Sequence, residues 1–259
     1  MSHLDPTSTT DPVTIVNPHG QSCVVVVCEH ASFHIPEALH NLGLTDDALT
    51  SHAAWDPGAL AVAQGLAQHF DATLVASNVS RLVYDCNRPP TAPDAMPAQS
   101  ETISIPGNKN LSPAQKKFRT DSYYEPFRAQ LAQTIAGKPV PVIVTIHSFT
   151  PIYHGTKRAV EIGVLHDTDA RLADALLQIA PRHLTENVQR NEPYGPQHGV
   201  THTLKEHALE AGHLNVMLEI RNDLIETAIQ QAAMAKNVAN WLEDALAQLN
   251  VTGGEQCQA

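Results

Sequence analysis

The run Val24-Val25-Val26-Val27-Cys28, followed at once by Glu29-His30, sets the architecture into which the rest of the chain must fit. Five successive apolar residues, four of them β-branched, are typical of a strand buried on both faces, and such strands belong to sheets covered by helices. The polar pair stands where this strand ends, and ligands of open α/β sheets bind outside the carboxyl ends of the strands. The stretch therefore predicts an α/β protein with chemically active residues at strand ends.

Strand and helix patterns alternate along the rest of the chain. Apolar runs predict further strands at residues 73–76, 82–84, 140–146, 160–165 and 214–220. Helices are predicted at residues 56–69, 112–136, 169–180, 201–211 and 223–249, with a bend or interruption of the second at Pro126. Asp56 and Pro57 suit the N-cap and first turn of the first helix. The alternation predicts a mostly parallel or mixed sheet with helices on both faces.

The length of 259 residues fits one large domain, which we place at residues 21–250. Residues 1–20 are polar and proline-punctuated, so a loose N-terminal arm is predicted there, and a flexible tail at residues 251–259. The proline-rich segment 89–110 shows little apolar periodicity. Long loops of this kind usually cover an active site or are disordered, and its position directly after Asp85-Cys86-Asn87-Arg88 favours a cover.

Charge and hydropathy argue against several classes of function. The net charge of -11 disfavours a nucleic-acid partner, since such binding depends on a surplus of Lys and Arg. The longest apolar run, Val24–Cys28, is too short to span a bilayer. The four cysteines make no disulfide-framework spacing and no secretory signal is recognised, so a cytoplasmic location is expected. A small-molecule substrate is compatible with this composition, and the oligomeric state is left open.

Chemically capable side chains follow or end four of the predicted strands, and a fifth stands at a helix start. They are Glu29-His30, Asp85-Cys86-Asn87-Arg88, His147-Ser148, Glu219-Ile220-Arg221 and Asp56. Two histidines and a carboxylate, with a second carboxylate nearby, suit a catalytic zinc site, because three ligands leave a fourth position for water and the spare carboxylate can act as its base. Neighbouring arginines would hold a substrate carboxylate.

Each of these residues also has a structural interpretation. His30 could be a turn residue, and Asp56 a helix cap alone. Glu219 in an apolar strand is better explained by a site, because burying an unpaired carboxylate costs several kcal/mol. Arg221, two residues on and on the same face of the strand, could be its structural partner.

A second histidine cluster offers a competing metal set. His198 and His202 are four residues apart, with His207 and His213 nearby. No His-Glu-x-x-His motif accompanies them, so a histidine-rich helix surface is the favoured interpretation. Ser148 is a weak nucleophile candidate because no Gly-x-Ser-x-Gly elbow surrounds it.

Six blocks spread over roughly residues 22–240 resemble, in the same order, the motifs of the N-formylglutamate amidohydrolase family. The blocks are Cys28-Glu29-His30-Ala31-Ser32, Ala54-Trp55-Asp56-Pro57-Gly58-Ala59, residues 80–89 (Ser-Arg-Leu-Val-Tyr-Asp-Cys-Asn-Arg-Pro), Ile146-His147-Ser148-Phe149-Thr150-Pro151, Asn191-Glu192-Pro193-Tyr194 and Glu219-Ile220-Arg221-Asn222-Asp223-Leu224. The Cys-Glu-His form of the first block resembles the branch called predicted amidohydrolases. The family is similar in turn to zinc carboxypeptidases and aspartoacylase, which implies a three-layer α/β/α fold with a central mixed, mostly parallel sheet.

The resemblance also implies roles for individual residues. His30 and His147 would bind one zinc ion. No His-x-x-Glu begins at His30, and Pro36 and the distance from the strand end make His34-Ile35-Pro36-Glu37, which has that spacing, less attractive. Asp56 is therefore favoured as the third ligand, with Glu29 in reserve. Glu219 would be the base that activates water. Apart from the resemblance, we expect Arg81 to help the zinc ion to stabilise the oxyanion. The substrate would be held by Asn87, Arg88, Asn191, Tyr194 and Arg221.

The function predicted on this basis is metal-dependent hydrolysis of the amide bond of an N-formyl- or N-acyl-amino acid that carries a carboxylate, such as N-formyl-L-glutamate. Two alternatives stay open. One is a zinc carboxypeptidase-like peptidase, and the other is a non-catalytic metal- or ligand-binding protein of the same fold.

Overall fold

A computed structural model describes residues 11–251 of the chain. Its strands are β1 (Val13–Val16), β2 (Val24–Cys28), β3 (Thr73–Ser77), β4 (Gln99–Ser100), β5 (Ile103–Ser104), β6 (Val142–Phe149), β7 (Ile152–Tyr153), β8 (Thr156–Lys157), β9 (Ile162–Leu165), β10 (Val188–Arg190) and β11 (Leu214–Arg221). Its α-helices are α1 (Asp46–Leu49), α2 (Ala59–Phe70), α3 (Pro113–Arg119), α4 (Glu125–Ala136), α5 (Arg171–His183), α6 (His202–Leu204) and α7 (Ala228–Gln248). None of these helices has the combination of length and apolar character that crossing a membrane requires.

Seven strands form one sheet in the order β1-β3-β2-β6-β11-β9-β10. The β1–β3 and β11–β9 pairs are antiparallel, and the other neighbouring pairs are parallel. The remaining four strands form two short hairpins, β4–β5 and β7–β8. The prediction of a mixed, mostly parallel sheet is therefore confirmed.

Helices cover both faces of the sheet because alternate residues of its strands point to opposite sides. Val24 and Val26 pack in one core with α2, α5 and α7. Val25 and Val27 pack in a second core with α4 and residues 204–208. This is the predicted three-layer α/β/α arrangement, and it leaves β2, β6 and β11 as the adjacent central strands.

The prediction of a loose N-terminal arm at residues 1–20 is wrong for Val13–Val16. Val13–Val16 is an edge strand paired with β3, because Val13 is buried in the second core and Ile15 packs against it. Residues 1–10 lie outside the described residues. So does the predicted tail, apart from Val251, which packs against the first core.

Residues 82–84 do not form the predicted strand. They belong to a turn in which the Ser80 hydroxyl accepts a hydrogen bond from the Leu82 amide and the Ser80 carbonyl accepts one from Val83. Serine commonly stabilises a turn through such local bonds. Asp85 and the residues after it consequently lie in a loop.

Two predicted helix starts also differ. Helix α2 begins at Ala59, after Gly58 at φ 81, so Asp56 is not its N-cap. Helix α7 begins at Ala228, where Thr227 forms a capping box with Gln230, rather than at residue 223. The interruption expected near Pro126 is confirmed, because a π-helical turn at Thr120–Tyr124 separates α3 from α4.

Candidate metal centre

Three buried side chains from separate segments meet at the carboxyl ends of the central strands: His30 directly follows Glu29 after β2, His147 lies in β6, and Asp56 precedes α2. Asp56 Oδ2 is 3.1 Å from His30 Nδ1 and 2.9 Å from His147 Nδ1, and the two Nδ1 atoms are 3.1 Å apart. The structure thus brings together the three ligands expected from the sequence, hereafter the ligand triad.

The geometry of the ligand triad fits a divalent metal ion. Ligands about 2.0–2.1 Å from a tetrahedral zinc ion lie roughly 3.3 Å from one another, close to the three distances in the triad. The approach of the two ring nitrogens suits a shared cation, to which both present lone pairs, as well as an N–H···N hydrogen bond between one protonated and one unprotonated nitrogen. The ligand triad could therefore hold a metal ion, and within residues 11–251 it is the one such group of three His, Cys, Asp or Glu side chains.

Asp85 and Arg81 contact members of the ligand triad through hydrogen bonds and ion pairs. Asp85 Oδ1 lies 2.7 Å from His30 Nε2, the ring nitrogen that does not face the triad. Arg81 donates to Asp56 Oδ1 at 3.3 Å and to Asp85 Oδ2 at 2.9 Å. A carboxylate on the second nitrogen of a metal-binding histidine fixes its orientation and raises its basicity. The structure gives Asp85 this position, which no sequence motif had assigned to it.

Glu29 lies against the other histidine. It is 1% exposed, and its Oε2 atom is 3.1 Å from His147 Nε2. Burial raises the pKa of Glu29, but the charge of His147, hydrogen bonding with His147 and Thr203, and the charge of His30 together leave the pKa below its usual value. Glu29 thus faces Nε2, whereas Asp56 faces Nδ1 and completes the ligand triad.

We expect Glu29→Gln to weaken metal binding roughly 10- to 100-fold, because outer partners of metal-binding histidines contribute on that scale. Competition titration of the folded variant against a chromophoric chelator would measure the change. Glu243→Gln is the matched control, since Glu243 is an exposed glutamate of α7 paired with His69. Wild-type affinity in a folded Glu29→Gln protein would contradict this role.

Glu219 stands beside His147 on the neighbouring strand. Its backbone is the register partner of His147 in the parallel β6–β11 pair, so both side chains leave the same face of the sheet. The side chain is buried, and Oε2 has no hydrogen-bond partner among the described residues. Burial, reinforced by the nearby Asp56 carboxylate, raises the pKa of Glu219 to about 7. Such a carboxyl group can exchange a proton near neutral pH.

The ligand triad and Glu219 line one cavity of about 550 Å³. The proline-rich segment contributes Gln99, Ser100 and Glu101 to its wall, as expected for a cover. Glu101 lies in the β4–β5 turn, 3.0 Å from His52 Nε2 through Oε2, and it accepts a hydrogen bond from the backbone of His154 at the tip of the β7–β8 hairpin. One carboxylate therefore connects the two hairpin tips at the rim of the cavity.

Three of the predicted substrate-binding residues line this cavity, namely Asn87, Arg88 and Tyr194. The side-chain amide of Asn87 is already hydrogen-bonded within the protein, since it donates to the Val200 carbonyl and accepts from the Thr203 amide.

The structure does not bring Asn191 and Arg221 into the cavity lining. Asn191 Oδ1 accepts from the His166 amide. Arg221 pairs with Asp223 and Glu161, so its expected alternative pairing with Glu219 is wrong.

The competing metal residues do not assemble. His198 lines the cavity alone, and His202 bonds through Nε2 to the Tyr124 hydroxyl at 2.8 Å. Ser148 donates its hydroxyl hydrogen to the Pro57 carbonyl, and its backbone amide donates to Asp56 Oδ2. Ser148 therefore positions the loop that carries Asp56.

Comparison with known proteins bears on the family and the fold of the chain. The model of the N-formylglutamate amidohydrolase family matches residues 22–226. The chain is similar to a gene product from Agrobacterium tumefaciens whose crystal structure is known. The two share 52% sequence identity and superpose with a TM-score of 0.91, over 93% of this chain and 96% of that one. N-formylglutamate amidohydrolase from Ralstonia eutropha JMP134 shares the fold at 18% identity and a TM-score of 0.56, over 92% of this chain and 99% of its own. No curated protein sequence matches the chain.

Proposed function

The chain belongs to the N-formylglutamate amidohydrolase family, and from this premise we propose that it hydrolyses the amide bond of an N-formyl- or N-acyl-amino acid with the help of one divalent metal ion, which we take to be zinc. The observation that carries the proposal is the presence in one cavity of the ligand triad and of Glu219, a buried carboxylate whose Oε2 has no hydrogen-bond partner among the described residues.

The ligand triad would hold the metal ion through His30 Nδ1, His147 Nδ1 and Asp56 Oδ2. Bound there, a divalent ion supplies Lewis acidity, which polarises an amide carbonyl and makes water more acidic. The protein's part is to fix the three ligand atoms, through Asp85 behind His30 and Glu29 beside His147.

Glu219 acts as the base in this proposal. Its carboxylate takes a proton from the attacking water and passes it to the nitrogen of the leaving amine, so that an amine and a carboxylic acid result. Its position one strand away from His147 places it beside the triad without making it a member. The raised pKa makes both steps accessible near neutral pH.

Arg81 supplies positive charge beside the ligand triad in this proposal. Its guanidinium is held by Asp56 and Asp85, and its side chain is still 28% exposed, toward the cavity that it lines. A fixed cation of this kind stabilises the negative charge that develops on the amide oxygen. Tyr194 lines the cavity nearby and is proposed to contact the substrate.

Metal analysis combined with a substrate panel tests the proposal. We expect about one divalent ion per chain, hydrolysis of at least one N-formyl or N-acetyl amino acid, loss of that activity with chelator and its return with zinc. Cleavage of C-terminal residues from peptides in preference to acyl amino acids would indicate a peptidase. Bound metal without turnover of any of these compounds would indicate a binding protein.

A further inference from the structure

Arg158 is an arginine of the cavity that no motif singled out. It directly follows β8 and lines the same cavity as His147 and Glu219. Its backbone is fixed at both ends, since its amide donates to the Pro151 carbonyl at 2.9 Å and its own carbonyl accepts from Arg221 at 3.3 Å. Arg221, although outside the cavity, therefore helps to hold this segment in place.

Three aromatic rings surround the Arg158 guanidinium. Its Cζ atom lies 5.4 Å from the ring centroid of Phe149, 4.4 Å from that of Tyr153 and 4.8 Å from that of Tyr194. Nη1 also donates to the Thr150 carbonyl at 3.4 Å, a long and weak bond. Aromatic faces attract a guanidinium and fix its plane, and the N–H donors not directed at the Thr150 carbonyl or the Tyr194 hydroxyl stay available for a planar anion.

The other two arginines of the cavity are already engaged with carboxylates. Arg81 pairs with Asp56 and Asp85, and Arg88 pairs with Asp94 at 2.8 Å and also donates to backbone carbonyls. Arg158 has no ion pair with any carboxylate of residues 11–251. A cation that is oriented but unpaired, in a protein with a net charge of -11, is suited to a carboxylate brought by the ligand.

Arg158 lies in the same cavity as the proposed base Glu219. Arg158 stacks on the ring of Tyr194, and both residues line the same cavity as Arg81 and Glu219. Burial and Glu219 raise the pKa of Tyr194, and Arg158 opposes them. A small substrate can therefore present its amide to Glu219 and a carboxylate to Arg158 in the same cavity.

We propose that Arg158, rather than Arg88, binds the carboxylate of the amino-acid part of the substrate and so restricts the enzyme to acyl amino acids with a free carboxylate. This inference rests on the proposed function. It assigns specificity to a residue reached by the β7–β8 hairpin, outside the motif blocks around the ligand triad.

The test compares an acyl amino acid that the protein hydrolyses with its carboxamide, in which –CONH₂ replaces the carboxylate. We expect Arg158→Met to raise KM for the carboxylate substrate roughly 10- to 100-fold, the usual worth of a hydrogen bond to a charged group, with a smaller change in kcat. The slow hydrolysis of the carboxamide should be unchanged. Arg158→Lys, which keeps the charge but not the planar fork, should recover part of the loss. Arg171→Met is the control, because Arg171 is exposed and pairs with Asp169.

Two results would overturn the inference. Unchanged KM for the carboxylate substrate in Arg158→Met would do so, as would equal losses on the carboxylate and the carboxamide, which would indicate a structural role. If the wild-type protein hydrolyses neither compound, the proposed function fails separately. Calorimetric binding of the acyl amino acid to metal-loaded protein then tests Arg158 directly, and equal affinity of wild type and Arg158→Met would refute it.

Discussion

Replacing Glu219 by Gln is expected to lower kcat by roughly 10²- to 10⁴-fold while the metal ion stays bound, because a positioned general base contributes on that scale. The substitution keeps the shape of the side chain and removes its ability to take a proton. It should leave the fold intact, because Glu219 Oε2 has no hydrogen-bond partner to lose among the described residues. Steady-state kinetics and metal content, measured on the same sample, separate the two effects.

The control for this variant is Glu210→Gln, an exposed glutamate shortly before β11. The pH profile gives a second readout, since the base works only as a carboxylate. Wild-type kcat/KM should therefore fall as the pH drops through the pKa of Glu219, which burial and Asp56 raise and a bound cation lowers, and this limb should disappear in Glu219→Gln. Near-normal turnover in a metal-loaded Glu219→Gln protein would remove the assignment.

Replacing Asp56 by Asn should abolish metal binding at working concentrations and, with it, hydrolysis. Asp56 Oδ2 is the atom that approaches both histidine Nδ1 atoms, so two of the three short distances of the ligand triad depend on its charge. Because Asp56 is itself a ligand, affinity should fall by more than the roughly 10- to 100-fold that outer partners contribute. Isothermal titration with zinc, beside activity measurements, would show both losses.

Asn retains an oxygen that can accept from the Ser148 amide, so this variant is preferred to Ala for preserving the loop. Asp121→Asn is the control, because Asp121 forms an exposed pair with Lys117. Zinc binding of wild-type strength in folded Asp56→Asn would show that the ion is held elsewhere, for example by Glu29.

The central strands were predictable because their signal is local and strong. Strand β2 is an unbroken apolar run, and β6 and β11 are mostly apolar up to the polar residues near their carboxyl ends, as burial on both faces requires. Strand β1 was missed because four residues between prolines and polar neighbours resemble a loop. Its strand character depends on pairing with β3, some 60 residues later in the chain.

The site shows the same division between local and distant information. The two histidines were recognisable from their motif blocks, but Asp56 also looked like a helix cap, and only the fold carries its carboxylate to both rings. The contact between Asp85 and His30 joins residues 55 positions apart, and no spacing rule encodes it. Arg158 follows Lys157 in a turn-rich segment, and nothing in the local sequence indicates that three aromatic rings surround its guanidinium.

The connection made by Glu101 between the two hairpin tips has a consequence for how such an enzyme can diversify. The reacting groups stand on the sheet and on loops packed against it, whereas the rim is built from β4–β5 and β7–β8, which belong to neither core layer. Surface hairpins tolerate insertions and deletions better than buried strands do. Lengthening or trimming these two hairpins would therefore change which molecules are admitted without displacing a reacting atom. New substrate ranges can arise there while the chemistry is inherited unchanged.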